Sequence, residues 1–163
     1  MIDGIDYNIL TILLKDGRAT NADIARQVGM APSAILERIR KLESKGIITG
    51  YTAKIDATKV DLSLLSYVRI RAEEAVDSME VGEALAEFPE VQEVHYTAGE
   101  DGYLIKVRTK NAEELGKFLR DRIGTIRQIS STMSTIVLTT VKETAALPVK
   151  APIKGDGNVQ PAQ

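Results

Sequence analysis

Residues 22–51 read ADIARQVGMAPSAILERIRKLESKGIITGY, and this stretch decides the fold. Two helices that cross closely at a turn need a small residue in the first, a turn residue tolerant of positive φ, and an apolar anchor in the second. Ala25, Gly29 and Ile35 supply these in order, and Ile24 and Val28 add interior residues to the first helix. Just upstream, Thr20-Asn21-Ala22-Asp23 has the form of a helix cap with an acidic residue three positions on. Pro32 suits the first turn of the next helix. Ile35, Ile39 and Leu42 then recur at helical spacing as its buried stripe, up to Gly46. Further upstream, Ile5, Ile9, Ile12 and Leu13 mark another helix, ended by Asp16-Gly17. The spacing predicts three helices in the first 48 residues, the last two forming a helix-turn-helix.

With the stripe inward, Ser33, Ala34, Glu37, Arg40, Lys41 and Ser44 of the third helix point away from the core, and Arg38 and Lys45 lie on its flank. Such a helix enters a DNA major groove N-terminal end first. Ser33, Ala34 and Glu37 would then meet base edges, the glutamate accepting from cytosine N4. Arg38, Arg40 and Lys41 would hold phosphates or guanine. The same surface also fits a solvated helix face laced by pairs such as Glu37–Lys41.

From Ile47 the pattern changes to β-prone residues, through Tyr51 and on to Ile55, with a loop from Asp56 to Asp61. A strand is expected from Leu64 to Arg71, a helix from Val76 to Phe88, and a strand from Val91 to Thr97. The turn Gly99-Glu100-Asp101-Gly102 leads into a hairpin partner, Tyr103 to Arg108. Asn111 caps a helix whose core stripe is Leu115, Phe118, Leu119, Ile123 and Ile126. A last strand runs from Ile129 to about Val141. The order β-α-β-β-α-β is ferredoxin-like. Two helices on one face of such a sheet leave the other uncovered, and an apolar uncovered face is an association surface. A dimer through the sheets follows. The domain reading is residues 1–50 as a DNA-binding module, 51–63 as a linker strand, 64–147 as the ferredoxin-like module and 148–163 as a disordered Pro- and Gly-rich tail.

Composition narrows the chemistry. The 163 residues are 44% hydrophobic and 27% charged, ordinary for a soluble globular chain. No apolar run reaches the roughly 20 residues of a membrane span, and no basic stretch precedes the first apolar residues, so a cytoplasmic protein with no membrane partner is the expectation. The absence of cysteine removes disulfides, thiolate metal sites and cysteine nucleophiles. The single histidine, His95, sits mid-strand and reads as a packed or interfacial residue. No metal and no catalytic residue is expected. Net charge is +1 over residues 1–50, −7 over 51–100 and +4 over 101–150. The acidic middle would repel a polyanion, so any nucleic-acid contact comes from a local basic face.

These pieces together resemble the Lrp/AsnC (feast/famine) transcriptional regulators over residues 3–147. The resemblance rests on Asp6-Tyr7-Asn8-Ile9-Leu10, Asp16-Gly17-Arg18, the stretch quoted above, Ala98-Gly99-Glu100-Asp101-Gly102-Tyr103, and the closing TVKETAALP. It implies an α+β chain: an N-terminal winged helix-turn-helix, then a ferredoxin-like βαββαβ domain for ligand binding and oligomerisation. It also implies dimers that assemble further into octamers or similar discs, no cofactor, and a small-molecule effector, usually an amino acid, bound between dimers. Two departures stand out. Ala31 replaces the serine common before the proline, leaving Ser33 as a cap one turn later. Gly102 replaces the second acidic residue of the hairpin turn.

An amino acid is a zwitterion, held by carboxylates at one end and N–H groups at the other. A Gly-flanked turn with Glu100 and Asp101 offers both, and it also makes a good plain hairpin loop. The candidate effector residues are Gly99, Glu100, Asp101, Gly102 and Tyr103, with Thr132 and Ser134 carried over from the family. The function expected is a sequence-specific DNA-binding regulator whose assembly or DNA affinity responds to an amino acid. Two other readings share the architecture. A tetrapyrrole (siroheme-type) decarboxylase would need more basic and histidine side chains than His95 followed by Tyr96-Thr97-Ala98. A global DNA-organising protein would differ only in having little sequence choice.

Overall fold

The computed structural model describes residues 2–75, 78–99 and 102–151. The described residues form two compact units, one within 2–54 and 143–151 and the other within 55–142.

The first unit is a three-helix cluster: α1 (Gly4–Lys15), α2 (Asn21–Val28) and α3 (Pro32–Ser44). Asp3 caps α1 in a reciprocal box with Asp6, its carboxylate accepting from the Ile5 and Asp6 N–H groups while Asp6 accepts from the Asp3 N–H. Thr20 caps α2, its hydroxyl accepting from the Asp23 N–H at 3.1 Å and donating to the Asp23 carboxylate at 2.6 Å. Gly29 ends α2 at φ 76°, a left-handed conformation that a side chain disfavours. The core is Ile9, Ile24, Ala25, Ile35, Ile39 and Leu42. Each fully buried isoleucine contributes about 1.5–3 kcal/mol of burial. At α3 the cap is bare: Ala31 makes no side-chain hydrogen bond, and Ser33, expected to take over that task, lies inside the helix. Pro32 softens the loss, since at the first position its missing N–H leaves one donor fewer to satisfy.

The β-prone stretch from 47 to 55 forms no strand, and within 51–63 the regular structure is a short 3-10 turn at Ala57–Val60. This corrects the linker-strand expectation. A strand needs a ladder partner, and no strand among the described residues pairs with this segment.

The second unit is a four-stranded antiparallel sheet in the order β2-β3-β1-β4, with β1 (Leu64–Ala72), β2 (Val91–Tyr96), β3 (Tyr103–Thr109) and β4 (Ile129–Ile136). Helices α4 (Glu80–Ala86) and α5 (Ala112–Asp121) provide the helical part of its core. Val68 and Ile70 of β1, Tyr103, Ile105 and Val107 of β3, Val81 and Leu85 of α4, and Leu115 and Phe118 of α5 are all buried there. Asn111 caps α5 through the Glu114 N–H at 2.9 Å, as the sequence indicates.

Three boundaries differ from expectation. Helix α4 begins at Glu80, because the Glu74 carboxylate accepts from the Val81 N–H at 3.2 Å and fixes the start there; Val76 lies outside the described residues. Helix α5 stops at Asp121, and Ile123 belongs to a 3-10 turn that includes Gly124. Strand β4 ends at Ile136, one residue before its last bond to β1, from the Val137 N–H to the Leu65 carbonyl. Leu138 and Val141 beyond it are almost fully exposed.

Strand register sorts the open sheet face. Opposite the helices lie Tyr67, Arg69, Leu104, Lys106, Glu93, His95 and Met133. This face is mixed rather than purely apolar. Lys106 donates to Glu93 at 3.1 Å, Arg69 reaches the Met133 sulfur at 3.0 Å, and His95 lies 3.3 Å from Glu93.

Candidate functional site

The outward surface of α3 is the first candidate site. Ser33, Glu37, Arg40 and Lys41 are exposed, and Ala34 is half-buried. Arg38 is placed differently from its neighbours. Its Nη1 donates to Asp3 at 2.7 Å and to Asp6 at 2.8 Å, and the side chain is 28% exposed. The two carboxylates push the Arg38 pKa further up, and Asp3 is held below its ordinary value by the Asp6 N–H first and by Arg38 second. Arg38 therefore ties α3 to the α1 cap, and its charge is largely spoken for. Sequence periodicity placed it correctly on the flank; pairing across 32 and 35 residues leaves no periodic trace. At the other end of α3, the Tyr51 hydroxyl donates to Glu43 at 3.0 Å.

The hairpin end of the sheet is the second candidate. Gly99 at φ 141° and Gly102 at φ 78° hold conformations suited to glycine. The Gly102 carbonyl accepts from the Thr97 N–H at 2.7 Å, closing the turn. Glu100 and Asp101, the proposed ammonium ligands, lie outside the described residues. Tyr103 does not face outward. Strand alternation puts it on the helix-covered side, where it is 1% exposed. Its hydroxyl donates to Glu74, and its ring meets Tyr96 edge-on at 5.3 Å between centroids. Burial and the Glu74 carboxylate together push its pKa up to about 12. Thr132 and Ser134 are exposed on β4, opposite Ile70 and Val68. Tyr103, Ile70 and Thr132 share one row across β3, β1 and β4. Two strand spacings separate the tyrosine from the threonine, roughly 10 Å. Thr132 and Ser134 thus line one edge of the sheet while the hairpin lies two strands away. Sequence reasoning missed Glu74, whose role shows only once β1 and α4 are packed together.

An open cleft of about 420 Å³ lies toward the other end of the sheet, lined by Leu62, Glu90, Thr109, Lys110, the Glu114–Asp121 side of α5 and Arg122 just beyond it. Its charges are in part already paired, Lys117 with Glu113 and Glu114 and Asp121 with Arg120.

Among the described residues, no helix is long and apolar enough to cross a membrane, and no group of three His, Cys, Asp or Glu gathers to hold a metal. Residues 2–49 match the winged helix-turn-helix DNA-binding family model, and residues 65–147 match the Lrp/AsnC ligand-binding domain. The chain belongs to the Lrp/AsnC family. Among curated Lrp/AsnC relatives, it is 43% identical over 149 residues to the HTH-type transcriptional regulator FL11 of Pyrococcus horikoshii, covering 91% of this chain and 97% of that one. It is 34% identical to the Leucine-responsive regulatory protein of Escherichia coli, covering 91% and 92%. Among solved structures, a Neisseria meningitidis transcriptional regulator in complex with L-Met superposes with a TM-score of 0.85 at 29% identity, covering 91% and 97%. Escherichia coli AsnC gives 0.80 at 31%, covering 88% and 96%. The chain is a transcriptional regulator with a DNA-binding helix-turn-helix and an Lrp/AsnC ligand-binding domain, and these relatives are named as regulators rather than enzymes.

Proposed function

We propose that this Lrp/AsnC regulator reads a specific duplex sequence with α3 and that an amino acid alters its assembly or its DNA affinity. The observation that carries the first half is the exposed set Ser33, Glu37, Arg40 and Lys41 on a helix whose further cationic neighbour, Arg38, is held back by Asp3 and Asp6. Ser33, Ala34 and Glu37 read base edges, Arg40 and Lys41 hold phosphates, and Arg38 contributes orientation more than charge. Two copies join through the open sheet face, where Tyr67, Leu104 and Met133 supply apolar contact among paired charges. Half-sites then fall about one helical turn apart or a multiple of it. Higher assembly into an octamer or similar disc follows the family pattern.

The effector half rests on the hairpin Gly99–Tyr103, with Thr132 and Ser134, and on the L-Met complex of the Neisseria relative. Because Thr132 stands two strands from Tyr103, a small zwitterion cannot span both on one chain, which favours a site completed by a second copy. A cytoplasmic location accords with such a role.

Selection of binders from a random duplex pool, with and without each of the twenty amino acids, tests the reading. Enrichment of a pseudo-palindromic motif whose yield changes with one amino acid is the expected result. Retention of DNA with no enriched motif would instead indicate a DNA-organising protein, and no retention at all would remove α3 as a reader.

A further inference from the structure

Asp3 and Asp6 divide their oxygens between two tasks. Asp3 Oδ1 accepts from the Ile5 N–H at 2.9 Å and from the Asp6 N–H at 2.8 Å, and Asp6 Oδ2 accepts from the Asp3 N–H at 3.2 Å. The second oxygen of each, Asp3 Oδ2 and Asp6 Oδ1, accepts from Arg38 Nη1, at 2.7 Å and 2.8 Å. The first turn of α1 thus fixes both carboxylates, and its exposed N–H groups favour their negative charge. Holding Arg38 with groups already fixed costs little further side-chain entropy.

Two carboxylates against one guanidinium leave this trio at a net charge of −1. Arg38 lies one turn along α3 from both Ala34 and Lys41, residues of the face proposed to meet DNA. At the flank of that face, where the sequence supplies a further cation, a phosphate therefore meets a guanidinium that is only 28% exposed and outnumbered by acids.

We propose that Asp3 and Asp6 are positioning residues that act as a brake on DNA affinity, withholding Arg38 from a phosphate that it would otherwise neutralise. This deepens the reading of α3 as the DNA-binding helix and rests on it. The same trio ties α3 to α1, so fastening the unit together and restraining its grip on DNA are one arrangement. Where copies are linked, a modest loss per copy compounds, which keeps the assembly releasable.

Asp3→Asn combined with Asp6→Asn removes both charges and keeps the helix start. Asparagine caps as well as aspartate does, with its oxygen toward the backbone N–H groups and its NH2 toward Arg38, donor against donor. The trio then carries +1. Fluorescence anisotropy of the full-length protein on a labelled random-sequence duplex over a KCl series reads the effect, since the phosphate contribution needs no operator. The slope of log affinity against log salt should steepen by roughly 0.9, and binding should tighten roughly five- to ten-fold at a given salt. Loss of two negative charges near a polyanion helps by itself, so the pair is repeated on Arg38→Met, which keeps the apolar stem. There the gain should fall to less than about two-fold with no change of slope. An equal gain on both backgrounds would make simple repulsion the cause and overturn the proposal, as would an unchanged slope in the double variant. If the double variant does not fold, Asp3→Asn alone decides: a smaller tightening that vanishes on Arg38→Met supports the brake, and none overturns it. Failure of wild type and variants alike to bind duplex would remove the DNA reading and the brake with it, whereas wild-type binding without a gain in the variant removes the brake alone.

Discussion

Truncating the cations of α3 separates DNA binding from folding. Arg40 and Lys41 are exposed and lie outside the buried stripe of Ile35, Ile39 and Leu42. Each phosphate neutralised by a side chain adds roughly 0.9 to the slope of log affinity against log salt, so the double change Arg40→Ala, Lys41→Ala should lower that slope by about 1.8. Stability should stay within about 0.5 kcal/mol of wild type, as for other surface changes. Arg38→Ala should behave in the opposite way. Its guanidinium bridges Asp3, 54% exposed, and Asp6, 17% exposed. Exposed pairs contribute under about 1 kcal/mol, while truncating one partner of a buried pair costs about 3–5 kcal/mol. A half-buried bridge with one solvent-screened arm falls between them, at about 1–2 kcal/mol. In a unit of this size that corresponds to a drop in melting temperature of roughly 5–15 °C. Fluorescence anisotropy over a KCl series on a selected operator gives the slope, and melting followed by circular dichroism gives the stability. A double variant that keeps the wild-type slope would refute the assignment of Arg40 and Lys41. So would an Arg38→Ala protein that melts normally and shows the reduced slope instead.

Other expectations follow from single features. Ala31→Ser restores a capping hydroxyl before Pro32 and should raise stability by about 0.5–2 kcal/mol, measured by chemical denaturation. Gly82→Ala forces a methyl to 2.7 Å from the Tyr103 ring and should cost about 1–3 kcal/mol, with an accompanying near-ultraviolet change in the tyrosine signal. Because the folded protein holds the Asp3 pKa below 3.8, its contribution is present above that value and is lost as pH falls through the depressed one. Melting of the helical unit should therefore fall in acid more steeply than in an Asp3→Asn variant; parallel curves would contradict this.

The sequence was most legible where structure is local. Thr20 with Asp23, Gly29, Pro32 and Asn111 all mark helix ends through interactions spanning a few residues, and each stands where its chemistry predicts. The stripe Ile35, Ile39, Leu42 is buried, and its complement is the exposed face proposed to meet DNA. The ferredoxin-like order and the α+β class are likewise found. What escaped the sequence depends on distant partners. The segment from 47 to 55 has strand-like residues and no ladder to join among the described residues. Glu74 carries no local sequence signal, and Tyr103 stands beside it only in the fold. Tyr103 itself was expected at the ligand because it adjoins the turn; strand alternation turned it inward. Arg38 read as one more cation until Asp3 and Asp6 folded onto it.

The two sets of buried side chains, one around Ile24 and Ile35 and one around Ile70 and Ile105, share no residue. Mutational tolerance should divide along that line. On the proposed reading, substitution in the sheet domain would retune the signal and substitution on α3 would change the operator, and neither kind of drift needs compensation in the other's interior.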